Sequence, residues 1–175
     1  MKVLRTILFT ILGIMGLAIV ISFFLPSEHE IKRSITIKAS QTEVWTQLNS
    51  PKLWENWMPA PPEEANVALT YTGPESGEGA KAALRAQGQP EVLFTVTTSV
   101  PMEKIGYEMD IEGSEFKMWG IIEVDSTSEG IHVTFIDQMQ VGNNVMYKYY
   151  GLMAEKMAGP QLDSSLVALK EYCER

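Results

Sequence analysis

Asp137 stands in a strand-like stretch whose same-face neighbours, Val133 and Phe135, are apolar. A carboxyl group on such a face loses hydration and holds its proton more tightly, which suits it to general acid or base work near neutral pH. The bland reading is a strand end in water. Tyr107 is the second candidate, a phenol in another strand that could share the same interior. His132 lies five positions from Asp137 on one strand and so on the opposite face, which excludes a local dyad and makes it a rim or solvent-facing residue. Glu123 could face either way, because a one-residue register change inverts every such assignment. Arg33 interrupts a face made by Ile31, Ile35 and Ile37. It either snorkels at an exposed strand start or binds a ligand carboxylate or phosphate.

More familiar chemistries lack their residues. The chain has no Gly-x-x-x-x-Gly-Lys loop, no Gly-x-Ser-x-Gly elbow and no His-Glu-x-x-His. Two histidines and the single Cys173 make a zinc or iron site improbable and an internal disulfide impossible, so no metal and no cofactor is expected. Cys173 reads as a small apolar helix residue. The glycine-rich stretch 73–79 carries Glu75 and Glu78, which disfavours phosphate.

The elements that must position these groups follow from periodicity. Residues 30–38 alternate as a half-buried strand. Ser40 with Glu43 forms a capping box for a short helix carrying Val44, Trp45 and Leu48, and Asn49-Ser50-Pro51 opens a second one carrying Leu53, Trp54, Trp57 and Met58. Strands are expected over 67–72, 80–87, 91–100, 104–112, 115–125 and 130–140, an antiparallel meander with a tight loop at 73–79. The period then returns to helical. Met146, Tyr149, Tyr150, Met153 and Met157 share a stripe that Leu162, Leu166, Leu169 and Tyr172 continue, with a break or kink at Gly159-Pro160. One strand, two short helices, six strands and a long helix make an α+β fold in which a seven-stranded sheet curls around that helix.

The first 26 residues are an appendage. Residues 7–25 carry no charge and would span roughly 28 Å as a helix, enough for a bilayer core. A run this long, ending in bulky side chains and Pro26 without a small-residue cleavage site, reads as a retained anchor rather than a signal peptide. Lys2 and Arg5 before it place the N-terminus in the cytoplasm and residues 27–175 in the periplasm or outside the cell. That domain holds all 22 acidic residues and 12 of the 14 basic ones, a net charge of −10. Such a balance excludes nucleic acid as a partner.

The segments RSITIKASQTEVWTQLNSPKLWENWMP, YTGPESGEGAKAAL and GPQLDSSLVALKEYCE, in this order, resemble the polyketide cyclase/dehydrase and lipid-transport family of the START-like helix-grip superfamily. The resemblance covers nearly all of residues 28–174. It departs at Met58, where members commonly continue with Ser-Pro-Trp, and at Phe135, where many carry tryptophan. It implies a curved sheet gripping the C-terminal helix around an apolar cavity, with Trp54 and Trp57 beside one entrance; of the two, Trp57, next to the proline-rich stretch, is the expected cap. The expected ligand is a hydrophobic small molecule or lipid, contacted by Trp54, Trp57, Tyr71, Met118, Phe135, Tyr149, Met153 and Met157. Methionines in the strands, Met109, Met118 and Met139, would give a soft lining that suits an irregular ligand. Two alternatives stand beside a non-catalytic binder. One is a cyclase or dehydratase-like enzyme using Asp137 or Tyr107. The other is an interaction module with a filled core and a working surface such as the loop 59–64.

Overall fold

The computed structural model describes residues 2–58, 67–114 and 116–175. Residues 59–64, the proposed surface loop, and Glu115, at the expected start of the sixth strand, lie outside the described residues. Helix α1 (Lys2–Ser22) leads into strand β1 (Glu28–Ile37), helix α2 (Gln41–Asn49) and a 3-10 turn (Pro51–Asn56). Then come β2 (Ala68–Thr72), β3 (Lys81–Arg85), β4 (Val92–Val100), β5 (Lys104–Ile111), β6 (Lys117–Thr127) and β7 (Gly130–Gln140), followed by α3 (Val145–Gly151) and α4 (Ala154–Cys173).

All seven strands form one antiparallel sheet in the order β1-β7-β6-β5-β4-β3-β2. The meander runs from β2 to β7, and β1 closes onto β7 over ten residue pairs, Glu28 with Gln140 through Ile37 with Ile131. A bulge between Val96 and Thr98 bends β4. Helix α4 lies across the inner face, chiefly against β1. Its C-terminal end is pinned there, since Lys170 Nζ donates to the Thr36 carbonyl at 2.6 Å and Glu174 accepts from the Lys38 N–H at 2.6 Å.

Local sequence explains the short helices. Ser40 accepts a hydrogen bond from the Glu43 N–H at 3.2 Å, the expected N-cap of α2. Pro51 starts the 3-10 turn, where its missing N–H costs nothing.

Two helix boundaries differ from the sequence reading. The apolar run was expected to be helical to Leu25, but α1 ends at Ser22 and the next residues close with i→i−3 bonds, Phe24 N–H to the Ile21 carbonyl at 2.9 Å among them. Pro26 disfavours helix at Leu25. The long C-terminal helix breaks at Leu152 and Met153, not at Gly159-Pro160, which lies inside α4. Gly159 has a packing reason instead. The Arg33 guanidinium crosses α4 there to reach Glu155 at 2.5 Å and Asp163 at 3.0 Å, and a Cβ on Gly159 would come within 2.5 Å of it. Arg33 therefore serves the grip itself rather than a ligand or the anchor.

The core centres on the half of the grip farthest from α1. Leu169 of α4 is fully buried there with Val133, Ile105 and Ile122. Replacing Leu169 by Ala is expected to lower stability by about 2 to 5 kcal/mol, read by urea unfolding of the full chain in detergent. A loss under about 1 kcal/mol would mean that α4 is not gripped at that point.

Candidate functional site

Because the strands pair in register, inner-face residues fall into rows across the sheet. One row passes from Tyr71 through Ala82, Phe94, Met109 and Met118 to Met139 and His29. The next contains Val96, Tyr107, Gly120, Asp137 and Ile31. Beyond it lie Ile105, Ile122 and Phe135, then Val124 and Val133.

Burial divides these rows. Ile105, Ile122, Phe135 and Val133 are 0 to 2% exposed, whereas Phe94, Met109, Met118 and Asp137 remain partly accessible although they point inward. Helix α4 supplies the cause. Its second half puts Leu166 and Leu169 into the core, but its first half offers only Ala154 and Ala158 before Leu162. There Ala154 and Ala158 pack with the buried Ile31 and Met139 and the partly buried Phe116, Met118 and Leu162, so this end of the grip is held by smaller contacts and is more open than the other. This more open end is the one where β1 begins, next to α1.

At the boundary between the halves, the Tyr107 hydroxyl donates to Asp137 Oδ1. These two residues come from β5 and β7, separated by β6, whose residue at this row is Gly120. A Cβ on Gly120 would lie 2.7 Å from Asp137 Oδ1 and inside the Tyr107 ring, so only glycine lets the pair meet. Burial pushes the Asp137 proton affinity up, partly offset by the Tyr107 bond. Burial, then the charge of Asp137, pushes Tyr107 well above a free phenol. Among the described residues the second Asp137 oxygen has no partner. The site thus offers one polar point, able to donate when protonated and to accept when ionised, on an otherwise apolar wall of Phe94, Met109 and Met118. The two acid/base candidates are brought together. Gly120, which makes their contact possible, was not singled out from sequence. Its only signal was a glycine inside a strand pattern.

The tryptophans are placed differently from expectation. Trp54 and Trp57 are 4% and 2% exposed, with ring centroids 6.4 Å apart. Trp57 packs edge-on against Phe135 at 6.1 Å, in the solid half, so it does not cap a mouth. The reason lies in α2, whose last carbonyls lack helical partners. Trp54 Nε1–H donates to the Leu48 carbonyl at 2.8 Å and Trp57 Nε1–H to that of Gln47 at 3.4 Å. Each indole is buried with its N–H satisfied, avoiding a penalty of about 1 to 3 kcal/mol per orphaned group. Trp54 also meets Phe94 at 5.9 Å and Tyr107 at 6.0 Å and is the tryptophan that borders the open half.

Met118 packs, partly accessible, against the buried Ile31, Met139 and Ala154, while Phe135 is sealed in the core. Tyr71, on the edge strand, donates to Glu55 of the 3-10 turn and lines an outer groove of about 230 Å³. Burial and Glu55 raise its proton affinity. The methionine stripe does not turn inward. Met146 on α3, Met153 at the break and Met157 on α4 are 65, 51 and 60% exposed. Tyr149 instead donates to the Ala18 carbonyl of α1 at 2.8 Å. His132 sits on the outer face with Nδ1 3.2 Å from Thr36 Oγ1, and Glu123 is opposite Thr134 on that face. Cys173 is buried, and burial pushes its thiol up to about 11, far from a reactive thiolate. Among the described residues no cluster of three or more His, Cys, Asp or Glu is arranged to hold a metal ion.

The family model for polyketide cyclase/dehydrase and lipid transport matches residues 28–174. No curated protein matches the chain. Among solved structures, a norcoclaurine synthase variant of Thalictrum flavum, in complex with a transition-state analogue, superimposes with a TM-score of 0.61 at 17% identity, over 83% of this chain and 94% of its own. A Chromobacterium violaceum protein gives 0.57 at 19%, over 84% and 99%. The Aha1 dimer of Colwellia psychrerythraea gives 0.56 at 15%, over 83% and 96%. At these identities the likeness is one of fold.

The folded protein holds the Asp137 proton more tightly than the unfolded chain does. Its contribution to stability is therefore full below the ordinary aspartate value of 3.8 and is lost as pH rises through the raised folded value. Urea unfolding across pH is expected to show this decline in the parent chain and to lack it in Asp137→Asn. An unchanged profile would mean that Asp137 is hydrated like a surface carboxyl. In the same assay Gly120→Ala is expected to cost about 1 to 3 kcal/mol by overpacking, against the gain usual for Gly to Ala in a strand.

Proposed function

The chain belongs to the polyketide cyclase/dehydrase and lipid-transport family, and from that premise we propose that the open half of its grip binds one hydrophobic small molecule or lipid. The observation that carries this reading is the row of inward yet partly accessible side chains, Phe94, Met109 and Met118, the last of them packed beside Ala154 and Ala158 of α4. An apolar wall with a single polar point is the usual make-up of a small-molecule site: burial supplies affinity, and the pair of Tyr107 and Asp137 orients one hydroxyl, amine or carbonyl of the ligand. Methionines adapt their shape, so the site selects for size and apolarity more than outline. Trp54 and Tyr71 border it. Trp57 and Phe135 support it from the core, and Tyr149, Met153 and Met157 lie outside it.

In this reading residues 1–26 are a membrane anchor and residues 27–175 the binding domain. The Val3–Ser22 stretch of α1 is long and apolar enough to cross a bilayer, and its side chains are almost all exposed. Lys2 and Arg5 favour a cytoplasmic N-terminus, with the domain periplasmic or extracellular. Tethering the domain to the bilayer raises its effective concentration at the source of apolar ligands.

One observation favours a second, enzymatic reading. A carboxyl with raised proton affinity touching a phenol can deliver a proton to a hydroxyl of a bound substrate, whose C–O bond breaks as water departs, and the carboxylate so formed can take the proton of the neighbouring carbon as the double bond forms. Asp137 would be the acid, and Tyr107 the group that holds it in place.

Native mass spectrometry of the full chain, released from detergent after purification from membranes, is expected to show a stoichiometric apolar adduct. Met118→Trp, which fills the open half, is expected to remove it. A bare mass from the parent chain under conditions that preserve folding would sink the binding reading. If the bound molecule converts with time to a species lighter by one water in the parent chain but not in Asp137→Asn, the enzymatic reading holds. A bound mass that never changes dismisses it.

A further inference from the structure

Outside α1 the described residues include nine exposed large hydrophobic side chains, and seven of them sit at one corner of the molecule. Two are Phe23 and Phe24, where the chain leaves α1. The others are Met146, Tyr150, Leu152, Met153 and Met157, on α3 and the start of α4. Soluble surfaces scatter such residues singly, and a patch this concentrated marks a docking surface.

What covers the patch follows from how α3 is held. Tyr149 Oη donates to the Ala18 carbonyl at 2.8 Å, and the buried Lys148 Nζ donates to the Ser22 carbonyl at 3.1 Å. Both acceptors belong to the last turns of α1, and Ser22 itself is buried beneath α3. At about 1.5 Å per residue, Ala18 lies roughly 6 Å deeper along α1 than Ser22. A helix bonded to both positions is carried to the depth at which the span leaves the hydrocarbon. Lysine at that level neutralises the negative end of α1, and tyrosine is the residue type that favours the headgroup boundary.

We propose that α3 and the first turns of α4 dock in the leaflet from which α1 emerges, as an interfacial surface beside the span. The proposal rests on the reading of α1 as a membrane anchor. It also gives the binding site a direction. Strand β1 begins next to α1, and its first residues share the sheet end with Met118, Met139 and Met109, so that end of the grip faces the leaflet. An apolar molecule taken from the leaflet would move into the grip without crossing bulk water.

The test uses the full chain with Cys173→Ser, so that one introduced cysteine carries an environment-sensitive fluorophore, reconstituted into phosphatidylcholine vesicles containing a headgroup-proximal spin-labelled phosphatidylcholine. Three positions are compared: Leu152→Cys in the patch, Ile14→Cys within α1, and Ser128→Cys in the turn at the far end of the sheet. The inference expects the label at 152 to be blue-shifted and to lose most of its emission to the spin label, while that at 128 is unaffected. A label at 152 that behaves like the one at 128, with the label at 14 in an apolar environment, overturns the docking while leaving the anchor in place. If the label at 14 is also in water, the anchor reading fails and the docking falls with it. A second probe at Met157→Cys must follow the one at 152, which guards against a local effect of the fluorophore.

Discussion

A seven-stranded sheet that curls around a single helix encloses more volume than a uniform helix face can fill, so the side chains along that face decide what the fold becomes. Helix α4 makes two different choices along its length. Its second half inserts Leu166 and Leu169, and the sheet residues opposite them are sealed. Its first half presents Ala154 and Ala158, which pack with the buried Ile31 and Met139, while Met109 and Met118 in the same sheet row keep part of their exposure. Interiors pack as densely as organic solids, so an alanine face and a leucine face set different limits on what can lie against them. The solid half supplies stability and leaves the other half free to hold something else.

The pair of Tyr107 and Asp137 sits where the two regimes meet. A carboxyl in the sealed half would bear a desolvation cost that one phenol could not offset, and one in open solvent would behave as an ordinary aspartate. At the boundary it keeps one oxygen on Tyr107 and leaves the other without a hydrogen-bond partner among the described residues. Gly120 shows how closely this arrangement is specified, since any larger side chain would separate the two residues.

Periodicity and capping made the strand order, the two short helices and the grip legible before any coordinates. The N-cap at Ser40 and the meander from β2 to β7 appear as read. Errors arose where a residue's signal was ambiguous in kind. Gly159-Pro160 looked like a helix break, but the glycine makes room for Arg33, a partner 126 positions away that no local pattern reveals. Trp57 followed by prolines looked like a lid, but its indole N–H is spent on α2, whose unpaired carbonyls become visible only when the chain folds back. The methionine stripe of α3 was periodic as expected, yet periodicity says that a face is apolar and not what covers it. Asp137 was found by residue type and strand face, and Tyr107 by residue type, its face left open. Their contact depends on register through β6, which sequence alone does not supply.

The central claim is that one half of the grip is open space. Methionine methyl NMR on the full chain in lipid nanodiscs, with and without dissolved xenon, tests it directly, because xenon enters apolar cavities and shifts the methyl groups that line them. The account predicts xenon-dependent shifts at Met109 and Met118, and leucine methyls of Leu166 and Leu169 that stay fixed when labelled in the same way. Unmoved signals at Met109 and Met118 would contradict it, since they would mean that the alanines of α4 leave no space to fill.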